Sequence, residues 1–322
     1  MVTLDSVLTW GNSVSLEENE DVQNVGIDVT LAPGDSFIVL DRKEEQLRHY
    51  GPDGQLFGHV GGIQPGAAQR FETPVSATAV LEDDRILAAE FIGKLHEFTP
   101  DFAEHPSAVQ TPVAPLYAVC TTRDDGLVIL VGRLANSGDQ RLVHVWDRHA
   151  QRVVRSFFEP QPYPKAITPA ALVVDHGGCR IYGDTVFAWA ALAPVLHLFT
   201  IAGAPIGEVQ LRLPGFREVS SGPPSRSVGD RGVIERWAQD FSRLQDVWRL
   251  SDGGFLTQYY DLHGRSLAFS LARISSQGKI LFDISETPQL LAVTPEERLL
   301  FVDPTASTPS RWRWAVLRPG RA

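Results

Sequence analysis

A pair of short apolar runs joined by an acidic or glycine-rich turn recurs six times along the chain, and this repeat constrains the fold more than any other feature. The pairs are residues 25–31 with 37–41, 77–81 with 85–90, 117–121 with 127–131, 171–174 with 179–182, 246–250 with 255–260, and 290–293 with 298–303. Five of the turns read PGD (33–35), EDD (82–84), DDG (124–126), DHGG (175–178) and DGG (252–254). Asp and Gly accept tight-turn backbone conformations, while β-branched and aromatic residues suit a pleated, half-buried strand, so each unit reads as a β-hairpin. A third strand follows each pair, marked by Tyr50, Phe98, Trp146, Phe199, Ile274 and Leu317 at separations of 48, 48, 53, 75 and 43 residues. Repeats of about 40–50 residues with several strands each are characteristic of stacked-sheet arrays. The one long interval marks an insertion.

A fourth strand completes most units, at residues 55–60, 152–157, 205–210 and 279–284, with a weak one at 106–110. The sixth unit ends after WAVL (314–317) without a fourth strand, and residues 6–10 (SVLTW) supply a spare one ahead of the first unit. If that strand pairs with the last sheet, the array closes into a ring with no open edge between first and last units. The expected fold is an all-β, six-bladed β-propeller closed by an N-terminal strand. It forms one domain over residues 1–322, with a helical and loop insertion at 212–245 between blades four and five.

Within the first unit, SFIVLDR (36–42), LRHYGPDG (47–54), FGHVGG (57–62) and FETP (71–74) run from a strand ending in Asp, through a Pro-Asp-Gly turn, to a glycine-rich link and a Pro. This stretch resembles an NHL-type repeat, and the chain is similar to bacterial six-bladed propellers of that group. The likeness is good over residues 21–101 and fades to strand rhythm afterwards. It implies a fold and no particular reaction, and members of the group are often exported.

Net charge is −10, and lysine occurs only at Lys43, Lys94, Lys165 and Lys279. A nucleic-acid partner needs a concentrated basic surface, so none is expected, an RNA-binding NHL propeller included. No segment reaches the length of a membrane span, and residues 1–10 lack a basic stretch followed by an apolar run, so the chain is read as soluble and without a secretory signal. The sequence assigns no compartment. Cys120 and Cys179 stand in no metal or redox spacing and are expected as two small buried residues rather than a disulfide.

Candidate functional residues fall into three sets. In the insertion, residues 233–244 place Ile234, Trp237, Phe241 and Leu244 on one helical face, with Asp230 as N-cap. Trp237, Phe241 and Ile234 are candidate anchors for a protein partner or small ligand on one propeller face; the favoured reading of the helix itself is that it packs its stripe on the propeller's own surface. Tyr163, in the proline-rich link at 159–169, is a further candidate contact, against a plain connector. The second set is the acids closing the second strands: Asp41, Glu90, Asp184, Asp261 and Asp303, with Gly132 in the third unit. Converging carboxylates could hold a divalent cation such as Ca²⁺ in the central channel, as in metal-dependent lactonases of this fold; the favoured alternative is that each acid braces its own turn, with no cofactor. The third set, His49, His96, His144 and His197, recurs on third strands, away from the channel axis and too far apart to share one ion.

No phosphate-binding loop, dinucleotide fingerprint, His-Glu-x-x-His, Cys-x-x-Cys or Gly-x-Ser-x-Gly occurs. The expected function is a non-catalytic binding or scaffolding propeller acting within a larger complex. The alternative is a metal-dependent lactonase- or esterase-like hydrolase using Glu90, Asp184, Asp261 and Asp303.

Overall fold

The structure, a computed structural model, describes residues 2–16, 28–41, 45–62, 71–103, 108–124, 126–135, 137–160, 176–220, 231–264, 266–305 and 311–318. Among these, β1 (Leu8–Ser15) precedes five complete blades. Blade one is β2 (Asp28–Leu31), β3 (Phe37–Asp41), β4 (Gln46–Tyr50) and β5 (Leu56–Gly61); blade two is β6 (Val75–Val80), β7 (Ile86–Glu90), β8 (Lys94–Phe98) and β9 (Val109–Gln110). Blade three is β10 (Val113–Thr121), β11 (Leu127–Leu134), β12 (Val143–Asp147) and β13 (Arg152–Phe157). Blade four is β14 (Gly178–Tyr182), β15 (Thr185–Trp189), β16 (Val195–Thr200) and β17 (Pro205–Gln210). Blade five is β18 (Arg243–Arg249), β19 (Phe255–His263), β20 (Ser266–Ile274) and β21 (Ile280–Thr287). The sixth sheet has the order β1-β24-β23-β22, built from β22 (Leu290–Val293), β23 (Arg298–Val302), β24 (Arg311–Leu317) and the N-terminal strand. Leu8 pairs with Leu317 and Trp10 with Ala315, so the ring closes as the repeat requires.

The core is not one mass but six seams. Side chains alternate across a strand, and the second strands are buried on both faces. Phe37 and Val39 of β3 enter the seam with blade six, while Ile38 and Leu40 of the same strand enter the seam with blade two. Val128 and Leu130 of β11 likewise face blade two, and Ile129 and Val131 face blade four. This two-sided burial is why the second strands read as continuous apolar runs rather than as alternating ones.

Each seam also carries a contact of its own. Thr30 and Thr78 hydroxyls meet at 2.7 Å between blades one and two, where His49 Nδ1 also bonds the Pro100 carbonyl at 2.7 Å. Arg148 grips Glu97 at 2.9 and 2.8 Å between blades two and three, with Arg85 on the same carboxylate at 2.6 Å. Arg180 pairs with Asp246 at 2.8 and 2.6 Å between blades four and five. The Ser251 N–H donates to Glu297 between blades five and six, and Arg298 pairs with Asp35 between six and one.

The seam between blades three and four is closed covalently: Cys120 and Cys179 form a disulfide with Cα atoms 6.2 Å apart. This corrects the expectation of two separate thiols. The cause is the register of blade four, whose first strand is β14 (Gly178–Tyr182), followed after Gly183 and Asp184 by β15. The sequence reading put residues 179–182 on the second strand and 171–174 on the first; residues 171–174 lie outside those described. With β14 as first strand, Cys179 stands beside Cys120 on the neighbouring first strand.

The insertion is shorter in helix than its periodicity implies. The helix covers Arg231–Trp237, and Leu244 belongs to β18, where its N–H donates to the Ala191 carbonyl at 2.7 Å. Strand pairing overrides helical spacing once the chain reaches the blade. Asp230 lies outside the described residues. No helix among those described is long and apolar enough to cross a membrane.

Ring closure gives a direct test. Leu8 of β1 is fully buried against blade five. Leu8→Ala is expected to cost about 3 kcal/mol in urea unfolding through lost contacts and a cavity. A change below about 1 kcal/mol would mean that β1 does not carry the closing seam.

Candidate functional site

Antiparallel order puts the ends of the second strands, the starts of the first strands and the links between blades on one face of the ring. The described parts of two long links, 158–160 with 176–177 and 211–220 with 231–242, therefore share a face with Asp41, Glu90, Asp261 and Asp303. Asp184 does not. It sits in the two-residue turn before β15, on the opposite face, because blade four begins one strand later than the sequence reading placed it.

The remaining acids are each held within their own surroundings. Asp41 is buried and lies 3.5 Å from Arg48. Glu90 is 0% exposed; it accepts from the Thr73 N–H and, at 3.1 Å, from its hydroxyl, and its other oxygen meets His96 Nε2 at 2.6 Å. Asp261 accepts from the Ser242 hydroxyl at 2.6 Å and pairs with Arg217 at 3.0 Å. Burial would push the Asp303 carboxyl up, but the Thr305 N–H (2.9 Å) and hydroxyl (2.7 Å) outweigh it and hold the group below the ordinary carboxylate value. Among the described residues no three His, Cys, Asp or Glu side chains converge as a metal site would require.

The insertion aromatics are internal. Phe241 is 1% and Trp237 6% exposed, packed edge to face at 4.8 Å in a cluster with Leu192 and Ala238, against which Ile234 also lies. As placed, they are the core of the insertion and offer no ring to a partner. Tyr163 lies outside the described residues.

The same face carries a run of three rings from neighbouring blades, the outer two exposed and the middle one half-buried. Phe91 follows Glu90 at the end of β7 and is 44% exposed. Its ring lies 6.2 Å from that of Tyr117, and Tyr117 stacks on His176 at 5.1 Å with 10° between planes. His176, just ahead of β14, is exposed. Tyr117 is the extra residue of a β-bulge: Leu116 pairs with Gly132 and Ala118 with Val131, leaving Tyr117 without an opposite number. Bulges re-aim a side chain out of the regular pleat. Gly132 permits this one, since a Cβ there would come within 2.3 Å of the Pro115 carbonyl oxygen. Two units lack the acid, since β15 of blade four ends at Trp189 and Ala190, and of these it is blade three that turns an aromatic out at the link face. The sequence held that signal in Gly132, but its meaning depends on a bulge that periodicity does not show.

The third-strand histidines serve the blades. His49 also bonds Ser36 at 3.0 Å, and His96 is held by Glu90. In blade three, where Gly132 replaces the acid, the Gly132 carbonyl accepts from His144 Nε2 at 3.3 Å, and His144 Nδ1 accepts from the Ser156 hydroxyl at 2.8 Å. Burial lowers the His144 pKa to about 4, so this neutral tautomer persists through the physiological range. His197 lies 3.1 Å from Glu208 beside an open groove on the outer edge of blade four, where Ile206 is 53% exposed; burial lowers its pKa, and Glu208 opposes that.

No protein-family model matches this sequence, and no curated protein matches it. Solved structures do. A DUF4221 family member from Bacteroides vulgatus is 8% identical with a TM-score of 0.59, over 97% of this chain and 97% of that one. A catalytically inactive virginiamycin B lyase from Staphylococcus aureus, solved with quinupristin, is 9% identical with a TM-score of 0.53, over 94% and 83%. Kuenenia stuttgartiensis hydrazine synthase is 13% identical with a TM-score of 0.52, over 88% and 75%. At these identities the likeness carries the propeller fold and nothing of the chemistry.

His144 makes stability depend on pH. The unfolded imidazole takes up a proton below about pH 6.5, while the folded one stays neutral until about 4. The stabilisation is therefore complete above pH 6.5 and lost as pH falls towards 4, by about 3 kcal/mol in all. Urea midpoints from pH 7 to 4 should fall less steeply for His144→Gln than for the wild type; parallel slopes would contradict this.

Proposed function

We propose that this chain is a non-catalytic binding propeller that holds a protein partner or small ligand at the link face, around Phe91, Tyr117 and His176, as a subunit of a larger assembly. The observation that supports it most is a run of three rings on the link face, with Phe91 and His176 exposed and Tyr117 turned toward them by a bulge. Aromatic rings grouped on one face are the usual anchors of an interface. The engagement of Glu90, Asp261 and Asp303 with their own neighbours supports binding over metal-assisted hydrolysis. Grouping with NHL-like propellers is supported by the turn at Pro52 to Gly54. There Gly54 has φ +92° and a Cβ would meet the Ser15 carbonyl oxygen at 2.2 Å.

The test compares wild-type protein with a Phe91→Ala, Tyr117→Ala double variant as bait in affinity capture from the native organism. A partner held by the wild type and weakened about 30-fold by the variant is the expected result, the loss of a single strong anchor. Equal capture by both proteins overturns the reading. A stoichiometric divalent ion in the purified protein that disappears in Glu90→Gln would replace it with the hydrolase alternative.

A further inference from the structure

The disulfide and the aromatic run share one seam. Cys120 lies on β10 and Cys179 on β14, the adjacent first strands of blades three and four. Both strands run away from the link face, so steps back along each lead to the mouth. Three residues before Cys120 stands Tyr117, three before Cys179 stands His176, and these are the two rings that stack at 5.1 Å. Three extended residues span roughly 10 Å. The covalent cross-link and the stack are thus consecutive rungs between the same two strands, one near the channel wall and one at its opening.

The seam does not need the cross-link in order to pack. Ile129, Val131, Val143, Val186 and Ala188 are fully buried within it. Reduction therefore leaves the blade interface packed.

We infer that the Cys120–Cys179 disulfide is a redox latch on the aromatic mouth. Oxidised, it fixes the separation of β10 and β14 so that His176 stays on Tyr117. Reduced, the upper ends of the strands part and the stack opens. The reductant is of the dithiol class. Its thiolate attacks the sulfur of Cys120, the less buried cysteine, forming a mixed disulfide and releasing Cys179 as thiolate; its second thiol then releases Cys120. Two electrons and two protons end on the cysteines, and the reductant leaves as a disulfide. The latch rests on the binding role proposed for these rings, but the stack is read without a ligand, so the two can fail separately.

The experiment uses the whole chain with labelled histidine. His176 ring protons are assigned by their loss in His176→Gln and followed by NMR before and after a dithiol reductant, alongside thiol titration and far-ultraviolet circular dichroism. Cys120→Ala with Cys179→Val serves as a reduced form that cannot reoxidise. The expected result is a His176 ring-current shift in the untreated protein that collapses on reduction and is missing from the double variant, with the sheet signal unchanged. Three results overturn the latch: titratable thiols in the untreated protein, a His176 shift indifferent to redox state, or loss of the sheet signal on reduction, which would mark the bond as a structural staple.

Discussion

Among the described residues each blade has two apolar faces, and each face is covered by the neighbouring blade. A single four-stranded sheet of this kind would expose Phe37 and Val39 on one side and Ile38 and Leu40 on the other, so it gains stability only from a neighbour on each side. Stacking five such sheets would still leave one face bare at each end. The ring is the arrangement in which no face remains, and β1 completes the last sheet that makes it possible. The burial of the second strands, the continuous run of seams and the closing strand are consequences of that one requirement.

Polar groups inside such a structure must find partners within their own blade or across one seam, because water reaches few of them. The histidines and acids that recur through the repeat meet this demand. Glu90 with His96 and the Gly132 carbonyl with His144 are two answers to the same local problem, a carboxylate in one blade and a backbone oxygen in the next. The exchange frees the strand end of blade three from carrying an acid. In its place the backbone of β10 crosses close over Gly132, and Tyr117 is turned out to the mouth. A substitution that looks like decay of the repeat is the place where the repeat acquires a surface feature.

Strand count, third-strand landmarks and closure were legible in the sequence because each follows from alternation and spacing, which the seams enforce. The register of blade four was not. Its first hairpin turns on the two residues Gly183 and Asp184, a shorter loop than its neighbours use, and the longer DHGG run upstream drew the turn to the wrong side of Cys179. From that one shift came both the misplaced Asp184 and the missed disulfide. Cys120 lies four residues before its turn at Asp124, and Cys179 lies four before Gly183, so a matched count would have paired them. Trp237 and Phe241 were read as one helical stripe, but the helix ends at Trp237, and both rings turn inward beside Leu192, a direction set by tertiary packing that no local pattern reports.

The seam contacts differ from one blade boundary to the next. Glu97 awaits an arginine from the following blade, Arg180 an aspartate, Cys120 a cysteine and Asp35 an arginine from the blade behind. Blades that share one four-stranded order are therefore not interchangeable. Moving one to another place in the ring would set an arginine against a threonine or leave a cysteine without its mate. The linear order of the repeats is thus written into their flanks, and a duplication or shuffling of whole units would be rejected at its boundaries even where each unit still folded as a sheet.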